Sequence, residues 1–467
     1  MTAVAVLLGG AVVGAVLLAL FVHWERQSQE HRPVALILAL LALELVLYDN
    51  QENMPRGIFH PGVGSLDVRL PELLICLALV ARLVVRGRPR SIGLPALLWA
   101  AVAAWFAVAV AIGVVSHNSL TLLPYEAKAM VYVVGGYALA SGVPVRRFLE
   151  ARMFERLARW SSLGAVVLIL MTMAGRSEAL NIPLLTMPEF GALGGDTATF
   201  FVAVGIVALM LELGKDRRST LTLASACVLL LASFFAGQRA SLLMLGGAVA
   251  TVLVAAMGRT ARTRINVSGI QVVLVALAVV GVVLTAAVVP ALVSQQSVKV
   301  PLASRTVSVF DTTAKAESAQ ARLNKWSVAW DAIAEDPMFG HGLGYQYTYF
   351  DPGPNQLVTT DITENLFLDL LLWTGVVGLV LFVAALLVSL VGGLRAWWFH
   401  PDAAVGVLAL AMVAVVVGFV AKGQVESLFE KYREATAMGI ALGVLRSAVT
   451  STGGLRRQRT FASKGWL

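Results

Sequence analysis

The chain has 467 residues, of which 58% are hydrophobic and 14% charged, with a mean hydropathy of +0.80. A water-soluble fold, in which about 25% of residues are charged, could not hide that much apolar surface. The formal net charge of +8 does not indicate a nucleic-acid partner, because Lys and Arg stand in short clusters between apolar runs and not along one polar face.

Apolar runs of roughly 17–25 residues recur from the first residues onward, the length a helix needs to cross about 30 Å of hydrocarbon. The expected fold is therefore an all-α integral membrane protein, one polytopic domain over residues 1–467 with 12 or 13 transmembrane helices. The first run, residues 3–22, has no basic residue before it and no Ala-x-Ala site after it, which reads as a retained helix and not a cleaved signal. Further spans are expected at 33–48, 69–86, 92–116, 122–142, 160–175, 195–213, 219–237, 240–257, 267–295, 362–394, 403–421 and 435–450. Glu44 and Glu72 fall in or near the early spans and read as coupling-ion ligands of a transporter or, for Glu72, as a membrane-end partner of Arg69. Cys76 and Cys227 fall inside apolar runs and read as small buried hydrophobes, with no structural disulfide.

Alternate connections hold Arg26 and Arg32, Arg82 to Arg90, Arg146 to Arg159, Lys215 to Arg218, Arg259 to Arg264, Arg395 and the tail from Arg456 to Lys464. By the positive-inside rule these are cytoplasmic. The C-terminus is then inside, the N-terminus outside, and the one long connection, residues 294–360, forms a large extracytoplasmic loop with short helices. Connections of that length are usually functional or disordered.

Three places could carry chemistry. Gly237-Gln238-Arg239 interrupts two apolar runs at an outer turn, and an arginine at the membrane edge calls for a partner. It is a structural ion pair, a side chain snorkelling to lipid phosphate, or a ligand whose guanidinium fork matches phosphate oxygens. In the long loop Leu323, Trp326, Trp330 and Ile333 share one helical stripe, which places that helix along the outer membrane surface. Asp336-Pro337 ends it and Gly340-His341-Gly342-Leu343-Gly344 follows as a turn-rich segment; a lid without chemistry is the plainer reading. His341 either caps backbone groups, faces water or serves as a base. Glu364, which opens the next apolar run, either caps a helix through its dipole or acts as a general base whose pKa partial burial raises toward neutrality. No set of His, Cys, Asp or Glu has metal-ligand spacing, and neither a nucleotide-cradling loop nor an Asp-x-Asp motif is present. No cofactor is expected, and a lipid-linked donor is favoured over a sugar nucleotide.

In order and spacing these pieces resemble the O-antigen ligase and polymerase superfamily of bacterial membrane glycosyltransferases, over a core of about residues 195–395. Gln238-Arg239-Ala240-Ser241-Leu242-Leu243 looks like that family's basic turn and following helix. Arg322, Trp326, Pro337 and the glycine-rich segment fit its Arg, Trp, Pro and Gly-x-Gly. Glu364-Asn365-Leu366-Phe367-Leu368 with Gly375-Val376-Val377-Gly378 resembles its His-Asn segment and Gly-x-x-Gly. Ligases of the family carry His where this chain has Glu364, as polymerase-like relatives carry an acidic residue, and the subtype stays open.

The resemblance implies a metal-independent inverting transfer, on the extracytoplasmic side of the bacterial cytoplasmic membrane, from a polyprenyl-diphosphate-linked glycan to a glycan or lipid acceptor hydroxyl. Arg239 and Arg322 would hold the diphosphate and Glu364 would take the proton. Arg305, Lys325, His341 and Asn365 are the candidates for substrate contact, with membrane lipids and polysaccharide assembly proteins as further partners. The rival readings are a lipid-linked oligosaccharide flippase or other transporter, and a non-catalytic partner in polysaccharide export.

Overall fold

The structure, a computed structural model, describes residues 2–47, 62–63, 66–67, 70–86, 93–174, 195–215, 217–235, 239–263, 313–429 and 431–464. In chain order the helices are α1 (Thr2–Arg26), α2 (His31–Leu47), α3 (Leu70–Arg86), α4 (Leu94–Val115), α5 (Leu123–Ser141), α6 (Val145–Glu150), α7 (Met153–Ala174), α8 (Gly195–Leu213), α9 (Thr220–Phe235), α10 (Arg239–Thr263), α11 (Thr313–Glu335), α12 (Leu366–Phe399), α13 (Ala403–Lys422) and α14 (Tyr432–Lys464). Two short antiparallel hairpins complete it, β1 (Gly62–Val63) with β2 (Leu66–Asp67), and β3 (Tyr347–Asp351) with β4 (Gln356–Thr360).

The fold is the all-α membrane bundle that composition requires. Among the described residues α4, α12 and α13 are long and apolar enough to cross a bilayer outright, and α8, α9 and α10 contain shorter apolar stretches. Every expected span but one falls on a described helix; the run at 267–295 lies outside the described residues.

Small residues let the helices close. On α14, Gly439 and Gly443 face α5 so tightly that an added Cβ would meet Val133 O at 2.3 Å and Tyr137 O at 2.6 Å. Four-residue spacing of small residues is the usual way lipid-embedded helices bring their backbones together. Several buried charges are paired: Glu25 with Arg82 at 2.9 Å and Arg86 at 2.9 Å, and Lys422 with Glu426 at 3.1 Å and with Glu434.

One sequence expectation changes here, and two carboxylates are seen with partners. Cys76 and Cys227 are exposed, not buried; they stand on the outward faces of their helices, where an apolar residue meets lipid as comfortably as protein. Glu72 receives the Tyr132 hydroxyl and lies 3.5 Å from Lys128, whereas Arg69 lies outside the described residues. Glu44 receives the Tyr432 hydroxyl and lies 3.6 Å from Arg433, so it is paired inside the bundle.

Helix α12 breaks at Gly375 (φ 64°, ψ −173°), and the break is where the loop enters the bundle. Val376 N–H donates to Pro337 O at 2.8 Å, while the carbonyls of Leu372 and Trp373 accept from His341 N–H and Gly342 N–H at 2.9 and 3.1 Å. Trp105 Nε1–H takes the Thr374 carbonyl at 2.9 Å. Irregular backbone inside a membrane protein persists only when its polar groups find such partners. The glycines at 340, 342 and 344 all have positive φ, and a Cβ on Gly342 would lie 2.3 Å from Gly113 N. The turn-rich segment is thus a re-entrant insert between α4 and α12.

Candidate active site

The described part of the connection before α12 is built around α11, a 23-residue helix, while residues 294–312 of the expected loop lie outside the described residues. The bundle-facing side of α11 is not the stripe of Leu323, Trp326, Trp330 and Ile333 expected at the membrane surface. Lys325, Ala329, Ala332 and Ile333 are buried, whereas Leu323 and Trp330 are exposed. The cause is electrostatic: Lys325 is drawn inward, its Nζ 2.8 Å from Glu364 Oε1 and 5.2 Å from the centre of the Tyr349 ring. Tyr349 is presented by β3, whose alternation buries Tyr347 and Tyr349 and exposes Thr348 and Phe350. This hairpin went unread in the sequence, although Pro352-Gly353-Pro354-Asn355 between two alternating runs is its signal.

Glu364 is the centre of the cluster. Arg322 Nε–H donates to its Oε2 at 2.9 Å and Lys325 to its Oε1 at 2.8 Å. Burial alone would raise the carboxyl, but the hydrogen bond and charge of Lys325 and the charge of Arg322 outweigh it and hold the group below the usual carboxylate range. The direction is opposite to the rise expected from partial burial, because burial here comes with two cations. Nor does Glu364 cap α12. The cap is Asn365, whose side-chain oxygen accepts from Phe367 N–H at 3.0 Å and Leu368 N–H at 3.2 Å. Its amide nitrogen donates to Gln424 O at 3.1 Å, so both ends of Asn365 are occupied by backbone.

Glu364 adopts φ 60°, a conformation uncommon for a residue other than glycine and most frequent at functional positions. The residues around it hold it there. Asp369, fully buried on the first turn of α12, accepts Thr363 N–H at 2.6 Å, Thr363 Oγ–H at 2.7 Å and Ser427 Oγ–H at 2.5 Å. Trp326 Nε1–H donates to Thr363 O at 2.8 Å and Tyr347 to Ile362 O at 2.8 Å. Asp369 was missed in the sequence; a carboxylate four residues into an apolar run was the available signal.

The other expected residues divide. His341 sets its ring nitrogen 2.7 Å from Ala332 O on the last turns of α11 and stacks on Tyr345 at 4.1 Å, the backbone-capping alternative. Arg239 is the first residue of α10, but its side chain lies outside the described residues, as does Arg305 altogether. Arg322, Lys325, Glu364 and Asn365 are brought together. Among the described residues no group of three or more His, Cys, Asp or Glu could hold a metal ion.

The fold and site together define a helical membrane bundle that carries a lysine, arginine and carboxylate cluster ahead of α12. Residues 222–383, less than half of the chain, match the family model described as O-antigen ligase. The matched stretch runs from α9 to the middle of α12 and contains the whole cluster, so over these residues the chain is similar to O-antigen ligases, which supports a membrane glycan ligase or polymerase in general terms. No curated protein matches the chain.

Proposed function

We propose that the protein transfers a glycan from a polyprenyl-diphosphate-linked donor to an acceptor hydroxyl on the extracytoplasmic face of the bacterial cytoplasmic membrane. The observation that carries this reading is the Arg322–Glu364–Lys325 cluster, which offers a proton acceptor and two cations in one place.

In this mechanism the arriving diphosphate competes with Glu364 for the cations. Arg322, 43% exposed, turns its fork to phosphate oxygens, a geometry that guanidinium meets bidentately. Arg239 is the second proposed phosphate ligand, and Arg305 a further contact. Released from part of its ion pairing, Glu364 becomes more basic. The acceptor oxygen attacks the anomeric carbon, the bond from that carbon to the phosphate oxygen breaks, and its electron pair leaves with the diphosphate. The acceptor proton passes to Glu364. Charge grows on the leaving diphosphate, where preorganised donors contribute most to rate. Because the base and the leaving group stand on opposite faces of the sugar, the product is inverted, and the scheme requires no metal.

Purified protein in detergent should cleave a polyprenyl-diphosphate glycan and join it to acceptor, a reaction a flippase cannot show without two compartments. Intact donor after prolonged incubation with active-site integrity confirmed by donor binding would refute the proposal.

A further inference from the structure

Helix α5 begins beside the Gly344 turn, where Glu126 Oε2 accepts the Gly344 N–H at 2.6 Å. It runs for 19 residues, about 28 Å at 1.5 Å per residue, to an end where Arg82 donates to Leu139 O at 2.5 Å. At that far end, remote from Glu364, a groove of about 870 Å³ opens between the α1–α2 turn, α2, α6 and α7.

The mouth of the groove is basic. Arg32, Arg147 and Arg156 converge on His31, with Glu150 the one acid among the lining residues. Arg147 reaches Glu150 at 3.3 Å and Arg32 lies over the Trp24 ring at 5.8 Å, which leaves a formal excess of positive charge. Below the mouth the walls turn apolar. Ala35, Ala39 and Ala42 on α2 face Leu157, Ser161 and Gly164 on α7, each set spaced to fall on one side of its helix. Ser161 is 97% buried, and among the described residues neither its hydroxyl nor His31 Nδ1 has a hydrogen-bond partner. Trp160, 73% exposed, stands at the rim, the level at which Trp is favoured in a bilayer.

We propose that this groove binds an anionic phospholipid, its phosphodiester held by Arg32, Arg147 and Arg156 and one acyl chain lying in the furrow between α2 and α7. Basic pockets between membrane helices select acidic headgroups in this way. The positive-inside rule assigns this end to the cytoplasmic leaflet, so the ligand is a bulk membrane lipid and not the glycan donor, which is consumed at the opposite end of α5. A free phosphate ion would satisfy the arginines but leave the furrow without an occupant.

The test is native mass spectrometry of delipidated protein in detergent, titrated with phosphatidylglycerol or phosphatidylcholine. Phosphatidylglycerol should be retained in preference. Arg147→Gln with Arg156→Gln should weaken its binding about 30-fold, from roughly tenfold per 1.4 kcal/mol and about 1 kcal/mol per basic residue near the headgroup. Ala39→Phe, which fills the furrow and leaves every arginine in place, should abolish retention while gel filtration shows an unchanged fold. Millimolar inorganic phosphate should not displace the lipid. Equal retention of the two lipids, an unchanged affinity in the arginine variant, displacement by phosphate alone, or a preference for polyprenyl phosphate would each overturn the proposal.

Discussion

Replacing Glu364 with Gln keeps the side chain's size and removes its charge, and the structure sets two separate consequences. The first is on the ground state. Lys325 is buried, and Gln leaves its ammonium with the Tyr349 ring and the charge of Asp369 as compensating neighbours. Breaking a fully buried ion pair costs about 3–5 kcal/mol, but the Glu364 side chain is 32% exposed, so screening reduces this to about 1–3 kcal/mol. Adding Lys325→Met should recover part of that loss, which a double-mutant cycle reads directly. The second consequence is on turnover, which should fall by about 10²–10⁴-fold if Glu364 accepts the proton, while donor binding persists. The pH dependence separates the roles further. The free carboxyl is held below its ordinary value of 4.5, so the stabilising ion pair is fully present above that value and is lost as pH falls through the lower folded value. The acid limb of kcat/KM, which reports the free enzyme, should lie below pH 4.5; the limb of kcat should lie higher, because bound diphosphate draws the cations away. Glu364→His should retain measurable activity with its limb moved toward about pH 6.5. The assay is transfer by purified protein across a pH series. Turnover of Glu364→Gln within threefold of the parent would remove Glu364 as the base, and coincident limbs would refute the exchange of partners.

Arg322→Lys keeps the charge but loses the fork, and should raise the KM for donor at least tenfold with normal abundance in the membrane; near-parental kinetics would show that phosphate is not gripped bidentately. Gly342→Ala places a Cβ 2.3 Å from Gly113 N at a positive φ, whereas at Gly246 a Cβ meets nothing within 4 Å among the described residues. Folded yield by fluorescence-detected gel filtration should therefore collapse for Gly342→Ala and stay near parental for Gly246→Ala. Cysteine labelling should place Ser318 outside the cell and Arg457 inside, and a cytoplasmic Ser318 would remove the proposed active site, since the donor is used after it has been flipped.

The membrane class and most of the helices were legible in the sequence, because lipid demands about 20 apolar residues per crossing and little else resembles that pattern. So were the motifs around Arg322, the glycine segment and Glu364, whose spacing needs no coordinates to be seen. Tertiary structure alone decided what those residues do to one another. Glu364 read as a half-buried carboxylate with a raised pKa, but cations arriving from α11, 42 and 39 residues earlier, reverse the direction, since a charge 3 Å away outweighs partial desolvation. Asn365, expected at the substrate, is engaged as the α12 cap. The glycines read as a turn-rich segment, and the structure makes them the close approach at which a loop's backbone re-satisfies a broken membrane helix. Periodicity describes one segment at a time, whereas pairing across a bundle depends on which segments meet, and only the folded chain determines that.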